Sequence, residues 1–343
     1  MSLTKQKREE IKKFILWNVG KHPQDIVRFV QNNYKLSRPT ILKYIFELGQ
    51  GNKISIEGRS RDRIYTLEPL VNFKQTYEIK NKLAEDKVWR NDIAPLFGEI
   101  KETIFNICHY GFTEIFNNAM DHSEGKKISV TVAIWIDHIV IRIDDDGVGI
   151  FNKIQKKYNL DDPLHAILEL SKGKLTTDPD SHTGEGIFFT SRMFDTFVIY
   201  SGKYSFAAQE IDILSESDKD VNGTEVYMDI SQNSDRTMAS VFSKFAGDSD
   251  NYGFNKTVVP VKLARYGNEN LVSRSQAKRL LTRLEKFKTV ILDFQNIESI
   301  GRAFADEIFR VFIRNHPNTT LVATNDNESI RRLIKEVQGS SIQ

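Results

Sequence analysis

A multidomain α/β protein is what the sequence predicts, with a mainly helical N-terminal unit, a central α/β sandwich and a small α/β unit at the C-terminal end. Three observations carry this. The chain has 343 residues, more than one ordinary core serves. Its first 70 residues hold 14 Lys and Arg against 7 Asp and Glu, so they carry +7 and leave −5 of the overall +2 to the remainder. Apolar residues recur at helical spacing early in the chain, whereas strand-like and helix-like segments alternate towards its end. The boundaries follow as 1–70, a helical connector at 71–84, the central unit at 85–232, a linker at 233–254 and the last unit at 255–343.

Composition narrows the class of protein. With 40% hydrophobic and 27% charged residues the chain has the make-up of a soluble globular protein. A single cysteine, Cys108, excludes a disulfide framework and a thiolate metal cluster, and suits a reducing cytoplasm. The opening "MSLTKQKREEIKKF" lacks the apolar run of a secretory leader, and no apolar stretch approaches membrane-spanning length. A cytoplasmic protein without membrane contact is the expectation.

In the first unit, "KQKREEIKKFILWNV" sets Ile11, Phe14, Ile15 and Val19 at helical spacing. "HPQDIVRFVQNNY" gives a second helix, with Pro23 suited to its first turn. "KLSRPTILKYIFELGQGNK" gives a third, capped by Ser37 and ended at Gly49 and Gly51. "KISIEGRSRDRIYTL" then alternates as two strands around a turn bearing Arg59, Arg61 and Arg63. Three helices and a basic hairpin resemble a winged helix-turn-helix domain. The resemblance implies duplex DNA as partner, with Ser37, Arg38, Thr40 and Lys43 facing bases or backbone and the three arginines on phosphates. Winged helices that mediate protein contacts are the alternative.

The central unit holds "FTEIFNNAMDHSEG", in which Glu114, Asn118 and His122 are spaced by four and so share one helix face. Two alternating strands follow, near 128–136 and 138–144, and the second runs into "DDDGVGI". Three adjacent acids repel one another unless something uses them, and Gly147 and Gly149 allow close approach of a ligand. "SHTGEGIFFTSRMFD" places Gly184 and Gly186 before an apolar helix, where backbone N–H groups can cradle phosphate. "NGTEVYMDI" reads as a turn entering a strand. In this order, across residues 85–232, the four motifs resemble the GHKL (histidine kinase-like, or Bergerat) ATP-binding fold of gyrase, histidine kinases and the anti-sigma-factor serine kinases.

That resemblance implies ATP and Mg2+ as cofactors. Asn118 would hold the metal, and Glu114 would be the base in members that have one. Asp145 would accept the adenine amino group, with Gly147 and Gly149 beside the base. Gly184 and Gly186 would line the triphosphate, and Thr224 would reach adenine through water. Residues 151–183 occupy the lid position, from which Lys172 and Lys174 would reach phosphate. His122 completes the spacing seen in the anti-sigma-factor kinases, as a structural or a catalytic group. His109 is followed by Tyr110 rather than an acid, unlike a histidine kinase phosphoacceptor.

After a polar linker with one short helix, strands and helices alternate from residue 257 to 338. "VILDFQNIESIGRAFADEIFRVF" resembles STAS domains, more closely the STAS-like module fused to GHKL domains. Where phosphorylated relatives carry a serine this chain reads Gly301–Arg302, with Ser299 nearby. Asp306 and Glu307 read as helix-surface acids. Together the resemblances imply an ATP-switched regulator that meets DNA through the first unit and a protein partner through the last, and GHKL proteins are often homodimers. The alternatives are a serine/threonine kinase of the anti-sigma-factor type and a slow ATPase.

Overall fold

Helix α1 (Lys5–Val19), helix α2 (Ile26–Tyr34) and helix α3 (Arg38–Gln50) pack beside a hairpin of β1 (Ile54–Glu57) and β2 (Ile64–Leu67). The structure is a computed structural model, and it describes residues 4–59, 62–79, 83–160, 162–175, 184–208, 213–246, 253–265 and 269–339. Helical spacing turns Ile11, Ile15, Val19, Ile26, Val30, Ile41 and Ile45 inward to a core separate from that of the other units. Ser37 does cap α3, since its hydroxyl accepts from the Thr40 amide at 3.4 Å. Pro23 instead precedes α2, which starts at Ile26 after Asp25.

The connector departs from its sequence reading. Residues expected to be helical form strand β3 (Val71–Glu78), and only Glu85–Leu96 beyond it is helical, opening with α4 (Glu85–Val88). β3 pairs antiparallel with β4 (Lys127–Ile134) along its whole length. Phe73 and Tyr77 turn towards the core, and the polar residues between them face solvent.

The central sheet runs β3-β4-β5-β7-β6, antiparallel throughout, with β5 (His138–Asp145), β6 (Thr196–Ala208) and β7 (Ile213–Ser231). Across one face lie α5 (Glu102–His122), α6 (Ile150–Tyr158), α7 (Pro163–Lys172) and α8 (Gly186–Met193). Alternation along the strands buries Ile128, Val130 and Val132 of β4, with Ile139, Ile141 and Ile143 of β5, beneath α5. Phe112 and Phe116 of α5 are fully buried one turn apart, their rings stacked at 5.2 Å. His109, itself exposed, stacks on buried Trp89 at 4.7 Å.

The stretch expected as a linker is packed too. Helix α9 (Met238–Phe245) sets Phe242 against Phe189 and Phe245 against Phe188, and Phe254 lies 4.5 Å from Phe188. These rings join the central core to that of the last unit, which continues it.

In the last unit three parallel strands lie in the order β10-β9-β8, namely β8 (Lys256–Pro260), β9 (Thr289–Asp293) and β10 (Thr320–Thr324). Helix α10 (Arg274–Leu281), α11 (Arg302–Asp306), α12 (Ile313–Asn315) and α13 (Glu328–Gly339) accompany them, α11 and α12 being joined by helical residues Glu307–Phe312. Helix α10 stops at Leu281, and Arg283 just beyond it adopts a left-handed backbone with φ 66°. Among the described residues no helix is long and apolar enough to cross a membrane.

Candidate functional site

A cavity of about 300 Å³ opens between the sheet and helices α5, α6 and α8. That volume falls at the small end of ligand pockets, roughly 300–1,000 Å³. The α5 wall presents Glu114, Asn118 and His122, the stripe legible in the sequence. Ile115 and Ala119 line the cavity beside that stripe, and Phe112 and Phe116 of the same helix lie in the core. Ile143, Ile154, Ile199 and Val226 make apolar wall, and Asp145 with Thr224 supplies polar groups from adjacent strands.

Three consecutive aspartates point three ways, which resolves their repulsion. Asp145 enters the cavity, where its Oδ1 accepts from the Gly147 amide at 2.9 Å and the Thr224 amide at 3.3 Å. Burial raises its carboxyl above the ordinary range, and those two amides partly offset the rise. Asp146 turns back to the start of β4 and accepts from the Lys126 and Lys127 amides at 2.6 and 2.9 Å, which lowers its carboxyl. Asp144 alternates to the other face of the sheet, with Arg142 at 3.4 Å.

Burial pushes the Asp144 carboxyl up to about 6, despite Arg142, and its Oδ1 lies buried without a hydrogen-bond partner among the described residues. The unfolded chain would release this proton near 4. Native Asp144 therefore holds its proton longer, and stability falls as pH rises from about 4 to about 6. Asp144→Asn is expected to leave stability unchanged below pH 4 and to raise it by about 1–3 kcal/mol at pH 8. Urea unfolding of both proteins at the two pH values checks this.

The glycines beside Asp145 are demanded by geometry. A Cβ on Gly147 would stand 2.0 Å from the Ser123 carbonyl, and Gly149 has φ 82° with Ser201 Oγ at 2.5 Å from its Cβ position. Ser201 donates to the Gly223 carbonyl at 2.8 Å, and Thr224 Oγ1 accepts from the Ile150 amide at 3.0 Å. The first bond joins β6 to β7, and the second ties the start of α6 to β7. Gly186 opens α8 against Glu114, whose Oε2 lies 2.0 Å from where a Cβ would be. Gly184 accepts from the Leu175 amide at 3.1 Å.

Of the residues assigned by resemblance, Glu114, Asn118, Asp145, Gly149, Gly184, Gly186 and Thr224 line this one cavity. Gly147 stands beside it through its bond to Asp145. Lys172 and Lys174 do not line it: both ammonium groups are bonded to carbonyls of the C-terminal unit. Of the stretch assigned to a lid, residue 161 and residues 176–183 lie outside the described residues. Lys153 was missed by sequence reasoning. It lines the cavity from α6, with its ammonium 2.7 Å from the His122 carbonyl and 3.0 Å from Glu124. Its position four residues after Gly149, one helical turn, was the available signal.

On the N-terminal unit, Arg38 and Lys43 of α3 and Arg59 and Arg63 of the hairpin turn are exposed. Arg61 lies outside the described residues. Ser37 and Thr40 bond each other at 2.8 Å at the start of α3. In the last unit Ser299 is exposed, and Gly301 is pressed against Val272, whose Cα would stand 2.7 Å from a Cβ there. Asp306 pairs with Arg310 at 2.5 Å, along the surface of its own helix.

The STAS-like domain of unknown function (DUF4325) matches residues 276–331, from α10 through β9 and β10 into α13, so this part of the chain is a STAS-like domain. No curated protein and no solved structure matches the chain.

Proposed function

We propose that the central unit is a GHKL-type module that binds ATP with Mg2+, and that the protein is a nucleotide-switched regulator. The observation that carries this is Asp145, a carboxylate held by two backbone amides in an apolar-walled cavity shared with Asn118. An acceptor beside apolar walls suits a purine with an exocyclic amine. The rest of the site fits the cofactors as well. Among the described residues no three His, Cys, Asp or Glu side chains gather as a metal cluster, and Mg2+ on phosphates needs only one or two protein oxygens. Asn118 would provide one, and the glycine-flanked start of α8 would receive phosphate. Bound Mg2+ would neutralise the phosphate charge; Asp145 and Thr224 would orient the base, and Lys153, paired with Glu124, lines the cavity from α6. Calorimetry with MgATP on the wild type and on Asp145→Asn tests the reading.

Glu114 favours an enzymatic version of the same site, a serine/threonine kinase or a slow ATPase, because its carboxylate reaches the cavity at the start of α8. With γ-labelled ATP, free phosphate that drops at least about 100-fold in Glu114→Gln would mark a base-assisted ATPase. Label on a partner would mark a kinase. Neither product, with binding intact, leaves the switch.

For the N-terminal unit we infer a winged helix that binds duplex DNA. Support comes from exposed Arg38 and Lys43 on α3 and from exposed Arg59 and Arg63 in the hairpin turn. The competing reading, a protein contact, draws on Phe46 and Ile56, 61% and 41% exposed on α3 and β1. Removing Arg59, Arg61 and Arg63 together should weaken duplex binding and flatten the log–log salt dependence by roughly 2–3 units. Absence of binding at low salt would assign the surface to protein.

A further inference from the structure

Helix α7 meets the C-terminal unit through an ion cluster closed to solvent. Glu169 is 3% exposed and Lys172 not at all. The Lys172 ammonium lies 2.5 Å from Glu169 Oε1, and Arg283, just beyond α10, donates to Glu169 Oε2 at 2.9 Å. The cluster is stitched to main-chain carbonyls in both directions. Lys172 donates to the Arg279 and Thr282 carbonyls at 3.3 and 2.9 Å, where the end of α10 presents its negative pole. Arg283 donates in return to the Gly173 carbonyl at 3.2 Å and to that of Lys174. The Thr257 hydroxyl of β8 donates to the Lys172 carbonyl at 2.7 Å. Lys174 donates to the Lys286 carbonyl at 3.0 Å, with the Phe287 ring 4.8 Å from its ammonium.

The same short segment borders the cavity. Leu170 and Leu175 line it, so Lys172 and Lys174 stand within two residues of the wall while their ammonium groups donate to carbonyls of the neighbouring unit. A cation enclosed by a carboxylate and helix-end carbonyls gives these up only for a partner of comparable negative charge. A nucleoside triphosphate is such a partner, and a nucleoside is not.

We propose that the STAS-like unit withholds Lys172 and Lys174 from the phosphates of a nucleotide in the cavity, so that loosening its grip on α7 raises affinity for the triphosphate. This rests on the nucleotide reading of the cavity. The two arrangements are alternatives for the same ammonium groups, which makes the linkage reciprocal. A triphosphate loosens the grip, and whatever draws the STAS-like unit away tightens the triphosphate by the same factor.

The test uses the full chain, with MgATP and adenosine as paired probes. By calorimetry, Arg283→Ala is expected to bind MgATP about 5–10-fold more tightly with adenosine affinity unchanged, a coupling of the usual size. Thr257→Val, which removes one hydroxyl bond, should move the ratio in the same direction by about twofold. Should Arg283→Ala not fold, hydrogen exchange on the wild type decides. MgATP, and not adenosine, should speed exchange at amides 170–175 and 279–287. An unchanged ATP-to-adenosine ratio in folded variants, or unchanged exchange in the wild type, overturns the proposal. If both ligands bind and the ratio stays fixed, this inference alone fails; if neither binds, the nucleotide reading falls and takes it along.

Discussion

Asp145→Asn is expected to weaken MgATP by at least about 100-fold, about 2.7 kcal/mol, without unfolding the protein. Asparagine keeps an oxygen for the Gly147 and Thr224 amides that Asp145 serves, so the local backbone is retained. It also puts an NH2 group where the adenine amine would donate, and two donors cannot satisfy each other. Sites built to pair with a substrate N–H lose orders of magnitude when the pairing fails. The acid dependence follows from burial. Binding needs the ionised carboxylate, and the Asp145 carboxyl is raised, so wild-type affinity should fall at a higher pH than an ordinary aspartate would dictate. Above that range it should be flat. Calorimetry across pH checks both, with circular dichroism to establish that the variant is folded. Undiminished binding in Asp145→Asn would remove the central claim.

Glu169→Ala is expected to be among the most damaging single changes, costing about 3–5 kcal/mol of stability. Glu169 is the only carboxylate described in direct contact with both Lys172 and Arg283. Its removal leaves two cations facing each other in a site closed to water, and burial already presses the Lys172 ammonium towards its neutral form. Removing charge at both α7 positions should behave differently. Glu169→Leu with Lys172→Met is expected to recover more than half of the loss, because Arg283 keeps the Gly173 and Lys174 carbonyls and apolar side chains fill the volume. Urea unfolding of the three proteins measures this. Equal losses in the single and double variants would mean that packing, rather than charge, holds the seam.

The sequence alone determined what is local and repetitive. Apolar spacing set α1 and α3, Ser37 announced its cap, and a four-residue period placed Glu114, Asn118 and His122 on one face of α5. Asp145, Gly149, Gly184, Gly186 and Thr224 were legible because glycines and an acid at the ends of strands and helices break the pattern of ordinary elements. Tertiary structure decided what depends on distant partners. β3 reads poorly as a strand because Gln75 interrupts its alternation, and its pairing with β4 joins residues 53 apart, as Thr76 and Ser129 show. Lys172 and Lys174 read as free cations near a phosphate site, yet the carbonyls that hold them lie 107 to 112 residues further along the chain. A side chain's charge can be read from its letter, but its neighbours are chosen by the packing of whole units, and at this seam that packing turns both lysines away from the cavity.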